Sequence, residues 1–178
     1  MSRLDGALEP SPHAQQRGRE LSLTLGRGSP LVLARAARLG ISPERLFEFI
    51  VDFERLPEWM PMMKACQVDN THAREPGGVG AVRVIDSGFG KPTRETVVAL
   101  ERPSLLAYSA DDASLRGLFS QHLGVLISEP HPLGGAWLSW LSYAKPGAGP
   151  QKFLGPGVFK LVVQQSLSRL GARFPLAT

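Results

Sequence analysis

Hydrophobic and polar residues change from helical spacing to strand spacing and back again along this chain. The first helical pattern begins at Ser42, an N-cap residue, with Pro43 in the first turn and Glu44 at the positive end of the helix dipole. Apolar side chains then recur at helical spacing, which predicts an amphipathic helix with one buried face: Leu46, Phe49, Ile50 and Phe53. A strand is predicted immediately before this helix, over residues 31–41.

The middle of the chain alternates apolar and polar residues with a period of two, interrupted by turns rich in glycine and proline. This pattern predicts consecutive strands with no helix between them, and such strands pair as an antiparallel meander. The predicted strands span 63–70, 79–87, 93–102, 104–111, 119–129 and 135–145.

Helical spacing returns after a loop rich in glycine and proline at 146–157. The apolar positions there fall on one side of a predicted helix, which must therefore pack on another element: Phe159, Val162, Val163, Ser166, Leu167, Leu170 and Phe174. A meander followed by one long amphipathic helix predicts an α+β fold.

The first 29 residues are predicted to form a flexible segment outside the domain. Residues 1–19 mix proline, glutamine and charged residues without a sustained apolar period, which is typical of disorder. Leu21, Leu23 and Leu25 alternate with polar residues, which predicts a short strand able to pair with the sheet edge of a second copy in a homodimer. The domain itself is predicted to span 30–174, with a short tail at 175–178.

The composition predicts one globular domain, because the chain has 178 residues of which 43% are hydrophobic. The single cysteine, Cys66, excludes an intramolecular disulfide and fits a reducing cytoplasm. The longest weakly polar run, 31–41, contains Arg35 and Arg38 and is too short to span a membrane. We therefore expect a cytoplasmic protein with no integral membrane segment.

The charge pattern argues against a nucleic-acid partner. The net charge is +4, and most of the excess comes from arginines in the first 40 residues. The rest of the chain has no cluster of basic residues interleaved with aromatic residues, which phosphate binding favours.

Neither a metal nor a cofactor is predicted. The four histidines are too scattered for a metal site on one element, and no G-x-S-x-G elbow is present. The pair Gly78 and Gly80 lacks the third glycine of a dinucleotide fingerprint.

Residues 42–59 resemble the opening of the SRPBCC superfamily, which includes START-like and polyketide cyclase/dehydrase proteins. The matching residues are Ser-Pro-Glu-Arg-Leu-Phe at 42–47 and Asp-Phe-Glu-Arg-Leu-Pro-Glu-Trp at 52–59. Later landmarks are similar to the same family: Gly78–Ala81 before a strand, Glu95, the run 134–140, and Gly155-Pro156-Gly157 at the start of the last helix. The resemblance covers about residues 30–173, and it is specific for the fold and not for a reaction.

The resemblance implies a helix-grip fold, in which a curved antiparallel sheet wraps around the C-terminal helix with an apolar cavity between them. A hydrophobic small molecule is the usual occupant of such a cavity. Strand alternation in 119–129 predicts that Phe119, Gln121, Leu123 and Val125 face this cavity and that His122 points outward.

Candidate site residues follow from the predicted strands and helices. Glu95, paired with either Arg83 or Arg94, and Tyr108 are the polar candidates for proton transfer, since a carboxylate beside an apolar cavity can act as a general acid. The alternative is a structural ion pair or a solvated outer surface. The predicted ligand-binding residues are Trp59, Met62, Val84, Val98, Phe119, Gln121, Leu123, Val125, Trp140, Phe159, Val163 and Ser166.

Three functions remain open from the sequence. The first is a carrier or sensor of a lipid, quinone or polyketide-like molecule. The second is an enzyme of the cyclase, aromatase or dehydratase type, in which the cavity folds a reactive chain and a few polar groups move protons. The third is a protein-interaction module that uses a sheet edge or the N-terminal segment.

Overall fold

The computed structural model describes residues 8–88, 90–113, 115, 117–147 and 153–177. Within them the chain forms four α-helices and seven strands. In order these are α1 (Pro12–Thr24), β1 (Leu31–Leu39), α2 (Pro43–Val51), a 3-10 turn (Phe53–Arg55), α3 (Leu56–Trp59), β2 (Ala65–Asp69), β3 (Val82–Asp86), β4 (Thr93–Glu101), β5 (Leu105–Ala110), β6 (Phe119–Pro130), β7 (Ala136–Pro146) and α4 (Gly155–Arg173).

All seven strands form one antiparallel sheet in the order β1-β7-β6-β5-β4-β3-β2. The six predicted strands therefore form the predicted meander, and β1 returns to pair with the last of them. The sheet stays open, with β1 and β2 at its edges. The predicted α+β helix-grip fold is confirmed.

The helix α2 forms where the sequence predicts it. The Ser42 hydroxyl accepts a hydrogen bond from the backbone N–H of Arg45 at 3.4 Å, and Pro43 occupies the first turn. Leu46, Phe49 and Ile50 are buried, so the apolar face of α2 packs on the sheet.

The inner face of the sheet, which we define as the face beneath α2, α3 and α4, carries the main core. Val163, Leu167 and Leu170 of α4 pack there with Tyr108 and Trp140 of the sheet. These side chains lie between the sheet and α4, where the resemblance implies an apolar cavity. Large aromatic side chains of the sheet and of α3, Trp140 and Trp59, reach under the helix.

The outer face of the sheet, opposite α4, is covered by α1. Residues 1–7 of the expected disordered tail at 1–19 lie outside the described residues, whereas residues 12–19 are helical and that part of the expectation is wrong. The expected strand at 21–25 is also wrong, because α1 continues to Thr24. Leu21 is buried against the sheet while Leu23 is 66% exposed, which fits a helix and does not fit a paired strand. Because residues 21–24 are helical, no strand is present there to pair with the sheet edge of a second copy in a homodimer.

The helix α1 is not predicted by hydrophobic spacing, because its buried face is made mainly of small residues. Its contact residues are Ala14, Gly18, Leu21 and Ser22, of which only leucine gives a strong hydrophobic signal. Polar contacts also hold α1 in place: the Ser11 hydroxyl caps the helix and donates to Glu129 at 2.5 Å, and His13 lies 2.9 Å from the same carboxylate.

A β-bulge in β6 changes which side chains face α4. The register with β7 shifts between Ser120 and Leu123, and Gln121 adopts a positive φ of 52°. Phe119, before the bulge, contacts α4, whereas Leu123 and Val125, after the bulge, pack on the outer face. The predicted alternation of this strand is therefore wrong beyond residue 120.

The described part of the chain contains no helix of the length and apolar character needed to cross a membrane.

Candidate functional site

The three predicted catalytic candidates lie together on the inner face of the sheet. Arg83 on β3 is the cross-strand partner of Glu95 on β4, and Tyr108 on the next strand is the partner of Val97. Alternation along each strand gives these three residues the same facing.

Arg83 and Glu95 form a buried ion pair. The Arg83 Nη2 donates to Glu95 Oε2 at 2.5 Å, and Arg83 is 2% exposed. The guanidinium lies 4.2 Å from the centre of the Tyr108 ring and 5.0 Å from that of Phe53, within range of cation–π attraction. A buried arginine held by one carboxylate and two aromatic rings forms a rigid, charge-balanced polar centre.

Tyr108 is fully enclosed beside this ion pair. Burial raises the pKa of its phenol above the ordinary value, and the negative charge of Glu95 raises it further, while Arg83 and Trp140 oppose the change. Tyr108 therefore stays protonated at neutral pH and can donate or accept a hydrogen bond.

His122 joins the same group, contrary to the expectation that it points outward into solvent. Its ring lies 5.8 Å from Tyr108 and 5.5 Å from Phe159 of α4, centre to centre. Neither ring nitrogen has a hydrogen-bond partner among the described residues. Burial lowers the pKa of His122 to about 4, and the nearby charge of Arg83 lowers it in the same direction, so the imidazole is neutral at pH 7.

The inward position of His122 is not predictable from apolar alternation, because a bulge leaves no reliable trace in that pattern. A related signal was present: residues 123–127 read Leu-Gly-Val-Leu-Ile, with no polar residue on either side of the strand. A continuous apolar run is typical of a strand buried on both faces. With both faces buried, the neighbouring His122 had no solvent-facing side to occupy.

Two tryptophans complete the polar cluster, which we define as Arg83, Glu95, Tyr108, His122, Trp59 and Trp140. The Trp59 and Trp140 rings meet edge to face at 5.9 Å, and each is 1% exposed. Neither indole N–H has a hydrogen-bond partner in the described structure, and neither does the Nε of Arg83. Such buried, unpaired donors are uncommon in folded proteins and mark sites where a partner can bind.

The predicted ligand-binding residues divide between the two faces of the sheet. On the inner side and on α4 lie Trp59, Phe119, Trp140, Phe159, Val163 and Ser166. On the outer face lie Val84, by alternation with the buried Arg83 and Ile85, together with Val98, Leu123 and Val125.

The two other predicted ligand-binding residues belong to neither face. Gln121 forms the bulge, where its backbone N–H donates to Asp112. Met62 is 63% exposed with a positive φ of 64°. Gln121 and Met62, like the outer-face residues, are therefore not part of the polar cluster.

The N-terminal half of α4 packs less closely on the sheet than its C-terminal half. Phe153 and Leu154, directly before α4, and Val158 and Leu161 in its first two turns are exposed, whereas the buried residues of α4 are concentrated after position 162. Phe159 is half-buried between them and contacts both Phe119 and His122. It is therefore the side chain that separates the polar cluster from the exposed part of the helix.

Metal chemistry has no obvious ligand set here. No three His, Cys, Asp or Glu side chains group together anywhere in the described ranges in a way that could hold a metal ion. Burial raises the pKa of the Cys66 thiol to about 11, so this cysteine is a poor nucleophile at neutral pH.

Relatives with similar sequences extend over most of the chain. Uncharacterized proteins of Mycobacterium bovis and Mycobacterium tuberculosis are each 26% identical over 155 residues, covering 86% of this chain and 84% of theirs.

Solved structures share the fold at lower identity. Protein XoxI from Bacillus cereus is 18% identical with a TM-score of 0.63, covering 80% of this chain and 94% of its own. A protein from Nitrosospira multiformis is 18% identical with a TM-score of 0.65, covering 82% and 96%. Ara h 8.0201, a Bet v 1-like protein, is 14% identical with a TM-score of 0.60, covering 79% and 94%.

The family model for polyketide cyclase / dehydrase and lipid transport proteins matches residues 33–175, which include most of β1, all of β2 to β7 and the helices α2 to α4. The helix α1 lies outside the matched range. The expected SRPBCC-type resemblance is thereby confirmed. With the family model matching nearly the whole sheet-and-helix body, the chain belongs to the polyketide cyclase / dehydrase and lipid transport family.

Proposed function

We propose that this protein binds an apolar small molecule between the inner face of the sheet and α4, with the polar end of that molecule at the polar cluster. The observation that carries the proposal is a set of buried polar atoms without partners: two indole N–H groups, the Arg83 Nε, both nitrogens of His122 and the hydroxyl of Ser142, which shares the inward facing of Trp140 on β7. The Oε1 of Gln121 at the bulge is also without a partner. A buried polar atom without a partner costs free energy that a ligand can recover by supplying the missing hydrogen bond.

The route to this site runs past the first turns of α4. Phe159 is half-buried there, and the apolar side chains before it are exposed. Since the polar cluster is filled by side chains, a ligand has to displace Phe159 and the adjacent turn of α4. This helix end has few buried contacts and therefore opens at low cost.

A titration with Nile red, an uncharged apolar dye, tests the proposal. We expect its fluorescence to rise on binding to the folded protein. Ser166 of α4 is fully buried towards the sheet, and Ser168 on the same helix is exposed. Ser166→Phe should reduce the affinity about ten-fold or more by filling the site, while Ser168→Phe should leave it unchanged.

The two serine variants are compared only where circular dichroism shows the same helix and strand content. Absence of dye binding by the wild type, or equal binding by both variants, would contradict the proposal.

A second candidate function is proton-transfer catalysis on the bound molecule, as in a cyclase or dehydratase. It is favoured by the neutral imidazole of His122 beside the Tyr108 ring and the charged pair Arg83 and Glu95. Mass spectrometry of candidate polyketone chains after incubation separates the two functions: a carrier returns the molecule unchanged, whereas an enzyme lowers its mass by water or alters its structure. Turnover that survives in Glu95→Gln and in His122→Phe would exclude both side chains from the chemistry.

A further inference from the structure

We infer that the molecule bound at the polar cluster is an uncharged compound whose polar end is a carbonyl oxygen, and that carboxylates such as free fatty acids are excluded. This inference rests on the proposed binding function and narrows it to a chemical class. It follows from the kind of hydrogen-bonding group left unpaired and from the charge balance of the cluster.

The unpaired groups of the cluster are mostly donors. An indole nitrogen and a guanidinium Nε can donate a hydrogen bond and cannot accept one. The Trp59, Trp140 and Arg83 N–H groups without partners are therefore completed only by an acceptor atom. A carbonyl oxygen has two lone pairs and no proton of its own, so it suits a site rich in donors.

These donors belong to one neighbourhood. The Trp59 and Trp140 rings are in edge-to-face contact, and the indole N–H of Trp140 and the guanidinium of Arg83 both face the phenol of Tyr108 and oppose the rise of its pKa. Neither the Trp140 N–H nor the Arg83 Nε–H forms a hydrogen bond of ordinary geometry there. The Arg83 guanidinium lies over the Tyr108 ring at 4.2 Å. A single oxygen-bearing group near Tyr108 is therefore close to several donors at once.

The charge of the cluster is already balanced. The positive charge of Arg83 is paired with Glu95 at 2.5 Å, and the imidazole of His122 is neutral at pH 7 because of its lowered pKa. An incoming carboxylate or phosphate would add a buried negative charge beside Glu95 with no further positive charge in the cluster to compensate it. Burying such an unpaired charge is strongly unfavourable, so the cluster selects an uncharged acceptor.

Three probes with nine carbons each separate these chemistries: 2-nonanone, nonanoic acid and nonane. Each is titrated at pH 7 as a competitor of Nile red. We expect 2-nonanone to bind about ten-fold more tightly than nonane, which corresponds to one recovered hydrogen bond. Nonanoic acid should bind more weakly than the ketone.

Substitutions that keep one aromatic ring and remove the N–H together with the pyrrole part of the indole test the role of the donors, and the alkane serves as the measure of the lost ring volume. Trp140→Phe and Trp59→Phe should each reduce the affinity for 2-nonanone several-fold and leave the affinity for nonane nearly unchanged. Trp137→Phe is the control, because Trp137 stacks on His131 at 5.1 Å, away from the cluster.

Each outcome of this series has one meaning. Equal binding of ketone and alkane, or tighter binding of the acid, overturns the carbonyl inference while the binding function stands. If Nile red and all three probes fail to bind, the proposed function is wrong and the inference fails with it. The comparison of probes on the wild-type protein remains decisive even if a tryptophan variant does not fold.

Discussion

Gly124 on β6 lies directly opposite Tyr108 on β5, and the Tyr108 side chain occupies the space where a Cβ at position 124 would be. Such a Cβ would lie 2.6 Å from the phenol oxygen and 2.7 Å from Cε1, and closer still to Cζ. The absence of a side chain at 124 is therefore what allows Tyr108 to lie flat across the sheet beneath Arg83.

Gly124→Ala should destabilise the protein by about 2 to 4 kcal/mol, because the added methyl group overlaps a ring that is held on its other side by Arg83. Urea denaturation measures the change. Gly157→Ala is the control: this glycine lies in α4 with open space around it, so alanine should be neutral or stabilise by about 0.5 to 1 kcal/mol. Equal effects at the two positions would contradict the packing described here.

The free energy of unfolding should fall as the pH drops from 7 to 4, because unfolding allows the buried His122 to take up a proton. Burial holds its pKa at about 4 in the folded state, against an ordinary value of 6.5. Between these values the unfolded chain binds more protons, so the free energy of unfolding rises with pH and falls with acidification. The contribution should reach about 2 to 3 kcal/mol between pH 7 and pH 4.

His122→Phe should flatten this pH dependence, as measured by denaturant unfolding at pH 7, 6, 5 and 4. His72→Gln serves as the control because His72 is exposed, and it should keep the wild-type slope. A His122→Phe protein with the wild-type slope would show that His122 does not titrate as described.

Arg83→Met should be strongly destabilising, because it leaves the Glu95 carboxylate in a largely buried position without its cation. The expected loss is about 3 kcal/mol, and the double variant Arg83→Met with Glu95→Met should recover most of it. A double-mutant cycle by urea denaturation gives the coupling directly. The exposed pair Arg55 and Glu58 should show no measurable coupling in the same cycle.

Additive losses for Arg83 and Glu95 would contradict the view that the two side chains form one unit. In that case the interaction between the two side chains contributes little to the free energy of unfolding. The ion pair would then no longer support the exclusion of charged ligands.

The docking of α1 is tested by two leucines of the same helix. Leu21→Ala should cost about 2 to 3 kcal/mol because its side chain is 7% exposed and packs on the sheet. Leu23→Ala should change the stability by less than about 0.5 kcal/mol because the side chain is 66% exposed. A strand at 21–25 would place both side chains on the same face, so equal effects of the two substitutions would favour the strand.

The sequence by itself determined the elements whose signal is local. The N-cap at Ser42 and the helical spacing after it specify α2, and apolar alternation specifies the strands of the meander. It also singled out Glu95, Arg83 and Tyr108 as polar candidates, and the structure brings these three together on one face of the sheet. Trp140, a predicted ligand-binding residue, also faces inward.

Tertiary structure decided what depends on contacts between distant parts of the chain. The bulge at Gln121 is set by pairing with β7, and it turns His122 towards α4 while Leu123 and Val125 turn towards α1. The helix α1 is stable because the sheet covers its narrow stripe of small residues and Glu129 binds its first turn, neither of which a local apolar pattern encodes. The packing of the inner face depends on Trp59 of α3 and Trp140 of β7, which come into contact only in the folded chain.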